Sequence, residues 1–223
     1  MISTMTDTKT APAAPQKENL LLNIAINIII PTVILSKFSG EDSLGVEWAI
    51  IVALSFPLAY GLREFFRVGK FNLFSAIGIV SIMLTGGMAL LKLPPEYIAI
   101  KEAGIPALFA IFTLLSLKTR FPLVKTFLYN DKIMQIHKVD AALEQLGTKQ
   151  AFEGALKNAS YLIALSFVVS SVLNYILAIV ILVSEPGTEA FNAELGKMNA
   201  LSFPVIAVPA TIVMMFALFY LFK

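Results

Sequence analysis

Six apolar runs take up more than half of the chain and leave little from which a water-soluble fold could be built: Leu20–Ser36, Leu44–Leu62, Asn72–Leu91, Tyr97–Leu117, Ser160–Ser184 and Ala200–Phe222. Each reaches or approaches the roughly 20 residues that carry a helix across about 30 Å of hydrocarbon. Spanning strands would need alternating segments of about 10 residues, and the runs do not alternate. Charged residues make up only 14% of the chain, against about 25% in soluble domains. The expected fold class is therefore all-α: a polytopic membrane helical bundle of six transmembrane helices.

Placement of Lys and Arg orients such a bundle. With the N-terminus inside, the outer segments hold Lys37, Lys92, Lys101 and Lys197, and the other 13 of the 17 basic residues fall inside. Both termini are then cytoplasmic. Residues 1–18 are polar, rich in Thr, Ala and Pro and poor in large apolar side chains, which predicts a disordered cytoplasmic tail. The first run is interrupted by Asn23 and Asn27 and is not followed by a small-residue cleavage site, so it reads as a retained anchor. Residues 19–117 hold the first four helices and 160–223 the last two, in one structural domain.

The connection 118–159 is the long one. Pro122 suits a first helical turn. Farther on, Ile133, Ile136, Val139, Leu143 and Leu146 recur at helical spacing, with Lys132, Lys138, Asp140 and Glu144 off the stripe. This predicts a cytoplasmic amphipathic helix ended by Gly147, lying on the membrane or docked on the bundle. A second short helix is expected around Phe152 and Leu156, before Asn158.

Several chemistries are excluded at once. With no Cys there are no disulfides, thiolate sites or Cys nucleophiles, and a single His, His137, is too few for the usual haem or zinc sites. A net charge of +2 does not suggest nucleic acid. No phosphate-binding loop or nucleophile–base pair is present, so neither an enzyme nor a cofactor is expected.

The strongest chemical signal lies in the fourth run. Ile105–Leu117 alone is too short to span, so the helix must begin near Tyr97 and carry Lys101 and Glu102 below the outer surface. Intramembrane charges are costly and mark functional sites. Pro106 leaves the Glu102 carbonyl without its helical donor, as in the broken helices of transporters. The competing reading is an interfacial anchor in which Lys101 snorkels, and the two side chains need not pair. The other candidate residues are Gly86 and Gly87, where helices cross closely or a cavity wall forms. Asn27 shares a face with Asn23 and has its carbonyl freed by Pro31. Asn174 lies on a small-residue ridge with Ser166, Ser170 and Ala178.

These pieces, taken together, resemble the bacterial inner-membrane septation protein A (YciB) family. The resemblance runs through IIIPTVIL in the first run, LAYGLREFFRVGK at the end of the second, Gly86–Gly87, PEYIAIKEAGIPALFA, FPLVK and Asn174–Tyr175. The long insertion 131–157 and the outer segment PGTEAFNAELGKMN are closer to a related group of six-span proteins often labelled as transporters of the major facilitator class. The resemblance implies a non-enzymatic role in cell-envelope maintenance or division. The partners would be the lipid bilayer, membrane proteins of envelope synthesis or division, and a second copy of the chain as one option. The alternative is a small-molecule or ion transporter with its site between the third and fourth helices.

Overall fold

In a computed structural model of the chain, residues 20–67, 73–119 and 135–222 are described, and no strand occurs among them. The expected tail 1–18, Pro122, Ile133 and the FPLVK segment lie outside the described residues. Among the described residues seven helices follow in order. Helix α1 runs through Leu20–Ile24, a π turn at Ala25–Ile29 and Ile30–Lys37. Then come α2 (Val46–Arg67), α3 (Leu73–Leu90), α4 (Pro95–Ser116), α5 (Ile136–Leu146) and α6 (Lys149–Ile181). Helix α7 runs through Glu189–Ser202, a second π turn at Phe203–Ala207 and Val208–Phe222.

Among the described residues four helical stretches are long and apolar enough to cross a membrane: Val46–Phe66, Pro95–Ser116, Lys149–Ile181 and Glu189–Val213. Two shorter apolar helices, Leu21–Lys37 and Ala76–Leu90, belong to the same bundle. Large apolar side chains such as Phe66, Met83, Phe112, Val172 and Phe216 stand exposed around it, the surface expected of a chain solvated by lipid rather than water.

Proline explains the two wide turns. A proline has no N–H to give the carbonyl four residues back and crowds that carbonyl. Pro31 follows the first π turn and Pro204 lies within the second, where the widened backbone relieves the clash. Pro57 and Pro106 are accommodated inside α2 and α4.

The helices form a ring. Helix α2 packs on α3 and α1, α1 on α7, α7 on α6, and α6 on α4, with a sparser seam between α4 and α3 closing the circuit. The α4–α6 contact uses the small-residue ridge: Ser166, Ser170 and Ala178 are buried, Ser171 Oγ donates to the Ala103 carbonyl at 2.9 Å, and Phe109 stacks on Phe167.

One end of the ring is closed. The main core cluster takes Leu35 from α1, Ile50 and Ala53 from α2, Ala89 from α3, Ile98 and Ala99 from α4, Ile181 from α6, and Phe191 and Leu195 from α7. All of these lie within two or three turns of the helix ends joined by the turns 38–45, 91–94 and 182–188. The turns interlock above them. Asn192 donates to Ser39 Oγ and to the Val46 carbonyl, both at 2.9 Å, and Glu194 accepts from the Val183 and Ser184 amides and the Ser184 hydroxyl. The Lys92–Glu47 ion pair at 3.4 Å is exposed and adds little.

At the far end a second, smaller cluster of Leu156, Ala159 and Ile163 holds Val139 of α5 against α6. Gly147, at φ +64°, ends α5 in the left-handed region, which glycine enters without strain. Two sequence expectations need correction. The short helix around Phe152 and Leu156 is the start of α6, which runs unbroken for 33 residues, about 50 Å. Leu156, Ala159 and Ile163 keep one apolar stripe through Asn158, so nothing terminates the helix there. The outer segment before Ala200 is helical too: Thr188 caps it by accepting from the Phe191 amide at 3.1 Å, and Phe191, Leu195 and Met198 are buried along one face.

Candidate functional site

Below the closed end lies a cavity of about 380 Å³ walled by α1, α2, α3, α4 and α7. Its polar lining comes from Asn27, Ser81, Thr85, Lys101, Glu102, Asn199 and Ser202. Helix α4 begins at Pro95, ahead of Tyr97, which places Lys101 six residues, or about 9 Å, along the helix axis. From there its four-carbon stem crosses the α3–α4 seam.

The ammonium makes three bonds, to Ser81 Oγ at 3.0 Å, Thr85 Oγ1 at 2.6 Å and Glu102 Oε1 at 2.6 Å. Thr85 Oγ1 in turn donates to the Ser81 carbonyl at 3.1 Å, which turns its lone pairs toward Lys101. The Lys101 side chain is 7% exposed and that of Glu102 24%. Consecutive helical residues point about 100° apart, yet the two pair because the flexible lysine stem curls back to the shorter carboxylate. A buried lysine that spends every donor inside the ring is not snorkelling to the surface.

A second, shallow cavity, wide open to the surface and of about 420 Å³, lies on the other side of Glu102 and includes Ile105, Pro106, Asn174 and Phe203. Ile28, Glu102, Asn199 and Ser202 line both. Asn27 donates to the carbonyl and the Oδ1 of Asn23, each at 3.0 Å. The Asn27 carbonyl, which Pro31 deprives of its helical donor, accepts from Asn199 Nδ2 at 3.3 Å. Asn174 donates to the Ser170 carbonyl at 2.8 Å.

The candidates named from sequence therefore divide. Lys101, Glu102 and Asn27 meet in the first cavity, and Asn174 faces the second with Glu102. Gly86 lines neither; it is buried, and a Cβ there would come within 2.7 Å of Leu54 Cδ1. Gly87 has nothing within 4 Å of such a Cβ. Ser81, Asn199 and Ser202 were not singled out from sequence. Only Asn199 carried a usable signal, an amide five residues before Pro204, much as Asn27 lies four before Pro31.

Compared with protein-family models, curated proteins and solved structures, the chain matches none.

Proposed function

We propose that this is a six-span integral protein of the bacterial cytoplasmic (inner) membrane, with both termini cytoplasmic, that carries a small polar solute or ion through the cavity at Lys101 and Glu102. The observation that supports it is the buried ion pair. A charge pair held in an apolar ring costs stability relative to apolar packing of the same volume, and intramembrane ionisable residues mark solute pathways.

Three further features agree with this reading. The polar walls are contiguous with a second cavity. Both π turns lie beside the lining residues, as broken helices do in transporters. The apolar core lies between the cavity and the turns 38–45, 91–94 and 182–188, so the site is shut at that end and is approached from the end bearing α5. The envelope role implied by the resemblance makes no use of these features.

Accessibility tests the reading. The chain has no native Cys, so Ser202→Cys is a single, nearly isosteric probe. In oriented vesicles that thiol should react with a membrane-impermeant reagent applied on the side of α5 and should be protected on the other side. A thiol silent from both sides would remove the aqueous cavity and leave interaction with membrane proteins as the better account.

A further inference from the structure

The chemistry of the solute follows from which hydrogen-bonding atoms at the junction of the two cavities are already used. An ammonium has three N–H donors, and those of Lys101 go to Ser81, Thr85 and Glu102. Asn27, Asn174 and Asn199 each aim Nδ2 at a backbone carbonyl, of Asn23, Ser170 and Asn27. A carbonyl only accepts, so each contact decides which end of the amide is nitrogen and leaves Oδ1 open, beside one further N–H on Asn174 and on Asn199. The Ser202 hydroxyl is spent on the Met198 carbonyl at 2.8 Å, which leaves its lone pairs.

What remains is dominated by acceptors. The second carboxylate oxygen, Glu102 Oε2, has no donor among the described residues. The Glu102 carbonyl lacks the N–H that Pro106 cannot supply. The positive charge of the pair is consumed inside the ring, whereas the negative charge keeps an open face.

Resting on the transport reading, we infer that the junction binds a small aliphatic ammonium, its N–H donors shared between Glu102 Oε2 and Asn199 Oδ1, with Asn27 on one side and Asn174 on the other. Lys101 shows that oxygens on this lining can hold a primary ammonium. Each cavity is larger than a bare ion requires and lies within the roughly 300–1,000 Å³ of small-molecule sites. Phe203 is the one aromatic residue among those lining the two cavities, and an aromatic cage for quaternary ammonium needs several rings. An anion finds neither a free cation nor a cluster of N–H groups there.

The Ser202→Cys protein distinguishes these chemistries. Its rates with a trimethylammonium and with a sulfonate methanethiosulfonate are compared with the same pair of rates at Thr148→Cys, an exposed position between α5 and α6. The preference for the cationic reagent should be about two- to threefold larger at position 202, because the Lys101 ammonium is turned into the ring while Glu102 Oε2 faces the junction. Glu102→Gln leaves Lys101 without its counter-ion, so the preference should vanish or turn toward the sulfonate. If that variant does not fold, Asn199→Asp, which adds a carboxylate at the junction, should raise the preference further. n-Propylammonium chloride should slow the reaction at position 202, while sodium chloride and sodium propionate at equal ionic strength should not. Reaction with no charge preference, or protection by propionate or by sodium alone, overturns the ammonium assignment and leaves the cavity standing. Silence toward both reagents overturns the cavity and this assignment together.

Discussion

Asn192 and Ser39, 153 residues apart in sequence, are joined by a fully buried hydrogen bond of 2.9 Å that ties helix α7 to the turn between α1 and α2. The same amide nitrogen also holds the Val46 carbonyl, while Asn192 Oδ1 is buried with no partner among the described residues. The bonding is thus one-sided, and the donor function carries it. Asn192→Ala should lower stability by about 1–2 kcal/mol, since two bonds are lost but an orphaned acceptor goes with them. Asn192→Asp, nearly identical in shape, replaces the donor by oxygen and buries a charge, so it should cost more than the alanine. Thermal unfolding in detergent reads the order. A milder aspartate would mean that the amide is not the clasp.

The glycines separate by what a methyl group would meet. At Gly87 it meets nothing within 4 Å, so Gly87→Ala should be neutral or gain up to about 1 kcal/mol from helix propensity. At Gly86 it meets Leu54 Cδ1 at 2.7 Å. That side-chain end can swing toward the cavity it already lines, so stability should fall slightly while access at position 202 slows. At Gly196 it meets the Thr32 carbonyl at 3.1 Å and Ser36 Oγ at 3.2 Å. Backbone cannot step aside where Thr32 also donates to the Gly196 carbonyl, and Gly196→Ala should lose about 1–3 kcal/mol. Midpoints of thermal unfolding for the three variants should fall in that order.

The helices themselves were legible because lipid and buried packing both demand long apolar runs, and the arithmetic on Ile105–Leu117 required a helix that begins near Tyr97, two residues after its start at Pro95. Boundaries failed where polar residues share a helix with a buried stripe. Phe191, Leu195 and Met198 are spaced by four and three, but Glu189 before them and Asn192, Glu194 and Lys197 between them lower the local hydropathy below that of a membrane run. Asn158 had the same effect at the start of α6. The site was half legible. Lys101, Glu102 and Asn27 stand out as polar groups in apolar runs, whereas Ser81 and Thr85 are small hydroxyls that membrane helices tolerate anywhere. Only the ring, which brings α3 against α4, shows that they receive the Lys101 ammonium. Gly86–Gly87 looked like one feature, although adjacent helical residues face different neighbours.

The proposed topology has a direct test. Asp42 lies in a turn at the closed end, and Lys138 lies on α5 at the other. In intact cells Asp42→Cys should label with an impermeant thiol reagent from outside, and Lys138→Cys only after the membrane is opened. Labelling of both from outside would break the six-span arrangement, and the reverse pattern would invert it.

The Lys101–Glu102 pair is best examined as a cycle of variants. Lys101→Met leaves a carboxylate in the ring without its cation. Breaking a buried pair from one side costs about 3–5 kcal/mol, and because Glu102 retains some exposure the loss should sit at the lower end. Glu102→Gln keeps an oxygen for Lys101, whose Ser81 and Thr85 bonds persist, so it should cost less. The double variant removes both charges and should be more stable than the sum of the two losses implies, by about 1–3 kcal/mol of coupling. A lysine that merely anchored the helix at the interface would give a neutral Lys101→Met and no coupling, because its charge would already be solvated. Unfolding midpoints of the four proteins in one detergent decide between these outcomes. A stable double variant that no longer slows labelling at position 202 when propylammonium is added would show that the ion pair is retained for the solute and not for the fold.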